Sequence, residues 1–285
     1  MLEIQHGKSV NVIAEAGCNH YGDIEKCMEF IYVAHECGAD TVKFQAYKTE
    51  NLINPREIRN FCYQSELCKA DMILLKKASE DLGIEFLMSA FCIDSLRTLA
   101  AIGMETIKVP SGQIFNEEYL EFLGKMKIKV LLSTGMSTIE RVVNAVRILV
   151  ENGTPKCDIT LLQCTTAYPA PIESANLSVL GTYKLMFPEC SVGFSDHTTG
   201  KEAAIAATIL GAEVIEKHIA LMKDSTPDAS VSMLPNEFKD MVDSIRRAEK
   251  VLGSWKKAPQ ACEEAMFHRQ DIRKIGEQHE RRTGN

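Results

Sequence analysis

Lys129–Cys164 reads KVLLSTGMSTIERVVNAVRILVENGTPKCDITLLQC and contains one complete strand–helix–strand unit. Its two ends, Lys129–Thr134 (KVLLST) and Asp158–Cys164 (DITLLQC), are almost continuously apolar. Strands buried on both faces of a parallel sheet look like this, whereas half-solvated strands alternate. Between the ends, Val142, Val143, Val146, Ile148 and Leu149 recur at helical spacing. Ser137 and Glu140 stand at capping-box spacing in front of them. Gly153, behind them, suits a left-handed helix terminator.

The same rhythm continues in both directions from this unit. Upstream strands are expected at Val10–Ala16, Thr41–Gln45, Glu85–Ala90 and Thr106–Pro110, and downstream strands at Ser191–Ser195 and Glu213–His218. Amphipathic helices are expected over about Ile24–Cys37, Asp71–Leu82, Asp94–Ala101, Glu117–Lys125, Asn176–Met186 and Lys201–Leu210, with a last one after Pro235 that stops at Gly253. Eight such units in about 250 residues is the arithmetic of an α/β fold of the (β/α)8 TIM-barrel kind, in a single domain. A doubly wound open sheet is the rival, but the first strand–helix turn, AGCNHYG, lacks a dinucleotide-binding glycine fingerprint. With no linker or compositional break, the barrel is assigned to residues 1–255 and a charged tail, expected to be a frayed helix, to 256–285.

The composition agrees. Of 285 residues, 45% are hydrophobic and 25% charged, which excludes a disordered chain. A net charge of −7 with one Trp and no basic cluster argues against nucleic acid as a partner. No apolar run is long enough to span a membrane. The chain opens without a secretory leader, and its ten cysteines contain no C-x-x-C pair. They are read as reduced thiols, several of them small core hydrophobes, in a cytoplasmic protein.

Barrel enzymes keep their chemistry at the C-terminal ends of the strands. In strand order those ends carry Glu15 with Asn19 and His20, Lys43 with Gln45, Ser89, Lys108 with Ser111 and Gln113, and Ser133 with Thr134. Thr165, Thr166 and Tyr168 follow the sixth strand, Ser195, Asp196 and His197 end the seventh, and Glu216, Lys217 and His218 end the eighth. A charge inside an apolar strand is costly unless paired or liganded. Its recurrence at one end of nearly every strand therefore points to a shared polar site. Two lysines with several hydroxyls suit an anion such as phosphate. They also suit internal ion pairs of Lys43 and Lys108 with Glu15 and Glu216, or a Schiff-base lysine. His197 and His218, ending adjacent strands, suit a divalent transition ion completed by carboxylate, water or substrate oxygens.

At these residues the sequence resembles the sialic acid synthase family, which makes N-acetylneuraminate, legionaminate and pseudaminate. The matching stretches are AEAGCNHYGD (Ala14–Asp23), GADTVKFQ (Gly38–Gln45), KVPSG (Lys108–Gly112), LSTGMST (Leu132–Thr138), QCTTAYPAP (Gln163–Pro171), GFSDHTTG (Gly193–Gly200) and EKHIAL (Glu216–Leu221). The resemblance implies a barrel that condenses phosphoenolpyruvate with the open-chain aldehyde of an N-acylated hexosamine such as N-acetylmannosamine. The product would be a nine-carbon 2-keto acid, with release of phosphate. It implies a metal, usually Mn2+ with Mg2+ or Co2+ as alternatives, on His197 and His218. Phosphoenolpyruvate would lie on Lys43, Lys108, Ser111, Ser133 and Ser195, with Ser89 standing where the family often has Thr. Glu15, Gln45, Tyr168 and Asp228 would face the sugar, and Glu15 or Asp228 would move the proton.

The sequence departs from the family pattern at several points. Gln113 stands where an acidic residue is usual, and it can bond a sugar hydroxyl but cannot take a proton. Thr166 replaces an Asn or Ser, Met222 an Asp and Ala229 a His. The family's C-terminal antifreeze-like domain, which caps the partner's site in a dimer, has no counterpart in the tail. A homodimer is expected, with any cap supplied by a separate antifreeze-like protein. Two alternatives accompany the synthase reading. One is a related phosphoenolpyruvate condensation or aldol reaction on a different aldehyde. The other is a barrel without turnover that acts as a partner or regulatory subunit.

Overall fold

In the computed structural model, residues 9–52, 56–223, 226–254 and 256–266 are described. Eight parallel strands close in sequence order into a barrel: β1 (Asn11–Gly17), β2 (Thr41–Ala46), β3 (Glu85–Ala90), β4 (Thr106–Val109), β5 (Lys129–Ser133), β6 (Ile159–Cys164), β7 (Ser191–Asp196) and β8 (Val214–His218). Closure is made by β8 against β1, from Asn11↔Val214 to Glu15↔His218. Around the strands run α1 (Ile24–Glu36), α2 (Arg56–Gln64), α3 (Lys69–Leu82), α4 (Ile93–Ala101), α5 (Glu117–Met126), α6 (Ile139–Glu151), α7 (Val179–Met186), α8 (Glu202–Ile209) and α9 (Pro235–Leu252). This is the expected (β/α)8 architecture with one addition. The additional helix is α2, which precedes the barrel helix α3. Its nine residues are mostly polar, with Ile58, Phe61 and Cys62 at helical spacing.

The chain divides into two compact units, Met1–Leu252, which holds the barrel, and Gly253–Asn285, in which Ala261–Met266 form a 3-10 turn. Most of the tail in which a helix is expected, 267–285, lies outside the described residues.

Outward-facing strand residues pack against the helices in one continuous apolar layer that includes Phe30, Phe44, Leu75, Tyr119 and Phe238. Each buried side chain of this kind stabilises the fold by roughly 1.5–3 kcal/mol. Inward-facing residues form a second, separate cluster of Ile13, Leu87, Leu131, Leu162 and Val214. This aliphatic plug is the floor of the site. It leaves no room on β7, where a Cβ on Gly193 would lie 2.5 Å from Val214 O and 2.6 Å from Leu162 Cδ2.

The expected capping box on α6 does not form. Thr138 occupies the N-cap without a side-chain cap bond, and the Ser137 hydroxyl turns back to donate to Thr134 O at 2.5 Å. The cause is the tight turn after β5, where Met136 adopts φ +62 and carries the helix start one residue further on.

Candidate active site

Because side chains alternate along a strand, the residues two beyond the floor point the same way and lie one layer higher. They are Glu15, Ser89, Ser133, Cys164 and Glu216, joined at that level by Lys43, Lys108 and Ser195, and all are buried. Glu216 is the centre of this layer. Its Oε1 accepts from Lys108 Nζ and Ser195 Oγ, both at 2.9 Å, while its Oε2 lies 3.4 Å from Lys43 Nζ. Lys43 also pairs with Glu15 at 2.9 Å and donates to Ser89 Oγ at 2.7 Å. Glu15 Oε1 in turn accepts from Gln45 Nε2 at 3.1 Å. The two lysines therefore make the internal ion pairs that the sequence allowed.

Burial and charge compete within this layer. For Lys43, burial opposes the ammonium, but Glu15 and Glu216 outweigh it and hold the pKa above the ordinary lysine value. For Lys108, burial wins with the help of repulsion from Lys43, and the pKa is lowered despite Glu216. Burial also opposes ionisation of Glu216, yet the lysines on either side hold its carboxyl well below the usual carboxylate range. Ser133 Oγ is buried without a hydrogen-bond partner and is an unused donor at the same level.

Above the lysines stand the two imidazoles. His197 and His218 have ring centroids 5.5 Å apart, and Tyr168 stacks on His197 at 4.1 Å. His197 Nδ1 lies 2.9 Å from Thr165 O. A carbonyl only accepts, so Nδ1 carries the proton and Nε2 keeps its lone pair. Nδ1 of His218 is buried without a hydrogen-bond partner, 3.9 Å from Asp228 Oδ2. Burial lowers the pKa of both rings, which keeps them in the neutral, ligating form. Among the described residues, no group of three or more His, Cys, Asp or Glu side chains is arranged to hold a metal ion. The two imidazoles instead fit an ion that takes two ligands from the protein and the rest from water and substrate.

Asp228 reaches this site through a buried hub. The Asn19 amide donates to Ile219 O and Ser232 Oγ, its Oδ1 accepts from Thr226, and Ser232 donates to Asp228 O. These bonds pin the loop after β8 to the end of β1. Gly17 makes the approach possible, since it takes φ +55 and a Cβ there would lie 2.2 Å from Asp228 Oδ2. The loops after β4, β5 and β6 converge just as tightly. Gly135 N–H donates to Ser111 Oγ at 3.1 Å, and a Cβ on Gly135 would sit 2.2 Å from Thr166 Oγ1.

Gln113, expected on the sugar side, has its amide occupied elsewhere. Nε2 donates to Phe91 O at 2.8 Å and Oε1 accepts from Asn116 at 3.1 Å. His20 is buried, with Nδ1 accepting from Gly22 N–H, and burial lowers its pKa to about 4. It braces its own loop. Three residues gain weight from the structure. Glu216 was visible as a strand end, but its central place is not a sequence property. Asn19 was signalled only by the NH pair of its loop. Cys164, read as a small core hydrophobe, sits 3.8 Å from His197 Nδ1, with Ser111 and Ser195 bonding its sulfur.

Residues 30–257 match the model of the NeuB family. The chain is 38% identical over 263 residues to N,N'-diacetyllegionaminic acid synthase of Campylobacter jejuni, covering 86% of this chain and 78% of the relative. It is 33% identical to human N-acetylneuraminate-9-phosphate synthase, covering 89% and 74%. Among solved structures, the N-acetylneuraminic acid synthetase of Leptospira borgpetersenii superposes with a TM-score of 0.85 at 33% identity, covering 93% of this chain and 92% of that one.

Proposed function

The chain belongs to the NeuB family, and we propose that it condenses phosphoenolpyruvate with the open-chain aldehyde of an N-acylated hexosamine, releasing phosphate and a nine-carbon 2-keto acid. It is an enzyme, a phosphoenolpyruvate-dependent carbon–carbon condensing transferase. One observation carries the reading: two buried lysines, balanced by two buried carboxylates, lie beneath two neutral imidazoles at the C-terminal mouth of the barrel.

In this reading the phosphate and carboxylate of phosphoenolpyruvate take donors from Lys43 and Lys108. Ser133 Oγ, with Ser89, Ser111 and Ser195, supplies directional contacts. C3 of the enol attacks the aldehyde carbon, the carbonyl π bond breaks and its oxygen takes up a proton to become the new hydroxyl, and the carbon–carbon bond formed from the enol π pair leaves positive charge at C2. Glu216 and Glu15 would stabilise that charge. Water adds to C2, with Glu15 or Asp228 taking its proton, and the tetrahedral carbon breaks its C–O bond to expel phosphate. Gln45, Tyr168 and Thr166 would contact the sugar. A divalent metal on His197 and His218, Mn2+ by resemblance, would supply Lewis-acid polarisation of the aldehyde oxygen. The ten free thiols suit a reducing, cytoplasmic setting.

The test is phosphate release from phosphoenolpyruvate with Mn2+ across a panel of amino-sugar aldehydes. Release that depends on one sugar and stops with a chelator is the expected result. Release that is independent of any sugar would overturn the condensation.

A further inference from the structure

On the outer face of β7 and β8, with the strands between it and the site, lies the most deeply buried ion pair among the described residues. Asp196 and Lys217 are register partners. Lys217 Nζ donates to Asp196 Oδ2 at 2.9 Å, and both side chains have 0% exposure. Lys217 Nζ also donates to Thr198 O. Asp196 Oδ1 accepts from Thr198 N–H and from the Thr198 hydroxyl, each at 2.7 Å. The helix α8, which packs against β7 and β8, buries Ala203, Ala204, Ala207 and Thr208. His197 is thus bracketed by two residues of one network, and His218 follows directly on the lysine that anchors it. Its backbone is fixed from a second side, where Ala170 N–H donates to His197 O at 2.9 Å.

Stability is a poor explanation for such a pair. Two charges removed from water cost more than their attraction reliably returns, and apolar residues of similar volume often do as well or better. What the ion pair supplies and apolar packing does not is direction, with three bonds meeting at fixed atoms on either side of one residue. Granted the condensation chemistry proposed above, on which this inference rests, we propose that Lys217 and Asp196 are positioning residues that hold His197 and His218 at the separation a shared metal ion needs. They touch no substrate. They act through the strand ends, from behind.

The experiment compares the wild-type chain with Asp196→Asn/Lys217→Met. Asn keeps an acceptor for Thr198, Met fills the volume of Lys, and both the charges and the tether to Thr198 O are lost. Mn2+ binding, read as free Mn2+ by electron paramagnetic resonance without phosphoenolpyruvate or sugar, should weaken about 10- to 100-fold, as when a metal ligand loses its supporting contacts. kcat should fall at limiting Mn2+ while KM for phosphoenolpyruvate stays unchanged, because Lys43 and Lys108 are held from the inner face. Wild-type Mn2+ affinity in the folded double variant overturns the proposal, as does a change confined to the phosphoenolpyruvate KM. If the double variant loses its cooperative melt, Thr198→Val removes one bond to Asp196 without changing shape. It should lower Mn2+ affinity in the same direction, and an unchanged affinity there is equally fatal. A wild-type chain that binds Mn2+ but releases no phosphate with any acceptor would remove the condensation reading alone, and the titration would still judge the pair.

Discussion

Inside the barrel, Ile13, Leu87, Leu131, Leu162 and Val214 make one layer, and the residues two further along the same five strands, Glu15, Ser89, Ser133, Cys164 and Glu216, belong to the next. The backbone geometry is shared and the burial is alike, so the two layers differ only in side-chain chemistry. The lower one is held by contact and fails when volume changes. The upper one is held by charge balance and fails when a partner is removed. The two are linked by the dielectric. A sealed aliphatic floor keeps water from reaching the lysines from below, and Coulomb interactions above it are stronger for that. The floor therefore shapes the electrostatics of the polar layer as well as the fold.

The sharpest way to break the contrast is Lys108→Met. It removes a charge from the upper layer and leaves Glu15 and Glu216 sharing Lys43 alone, so stability should also fall, by about 3–5 kcal/mol. Phosphate release should fall about 10²–10³-fold or more in kcat/KM, the size of losing one preorganised stabiliser of developing charge. A variant that turned over normally would take Lys108 out of the site. The converse substitution is Leu162→Ala in the floor. Truncating a fully buried Leu costs about 2–5 kcal/mol, which denaturant unfolding should detect while phosphoenolpyruvate binding by the surviving folded fraction is kept. Gly193→Ala should also destabilise, by about 1–3 kcal/mol, through overpacking rather than a cavity. Loss of phosphoenolpyruvate affinity with full stability in either variant would show that the two layers are not separable.

His20 sharpens the comparison from outside both layers. Its pKa is lowered by burial to about 4, whereas an unfolded chain protonates the same ring near 6.5. Between those values the unfolded state binds the extra proton, so stability is full above about pH 6.5 and declines as pH falls towards 4. The shift is worth on the order of 3 kcal/mol when complete. His197 and His218, also lowered by burial, add to the loss in the same direction. His20→Gln should flatten part of the slope between pH 7 and pH 4.5 in thermal melts. An unchanged slope would assign the whole effect to the two site imidazoles.

The eight strands were legible to within one residue at each end, because burial on both faces leaves an apolar run that few other structures produce. The level of the polar site was legible for the same reason, since a charged residue in such a run has few other uses. The reading missed α2, a nine-residue helix whose short stripe of Ile58, Phe61 and Cys62 was visible but is brief and set among polar residues, and the true start of α6, which a single left-handed residue, Met136, displaced. Nor could it rank the acids. Glu15 and Glu216 look equivalent as strand ends, and only the closed barrel sets Glu216 between both lysines. Lys217 was lost between two inward-facing neighbours, because the alternation that turns Glu216 and His218 inward turns it out.

Gln113 is where the smallest effect is expected. Its residue type suggested a direct role in sugar choice, but both ends of its amide are committed, one to Phe91 O and the other to the Asn116 side chain that caps α5. Gln113→Glu keeps the acceptor for Asn116 and loses the donor to Phe91 O, placing a carboxylate oxygen against a carbonyl. The cost should be about 1 kcal/mol, that of one exchanged hydrogen bond, visible as a lower melting temperature with the same ranking of acceptor sugars. A new ranking at an unchanged melting temperature would mean that the side chain leaves Phe91 and reaches the sugar when substrate is bound. The polar layer would then extend one loop further than the free protein reveals.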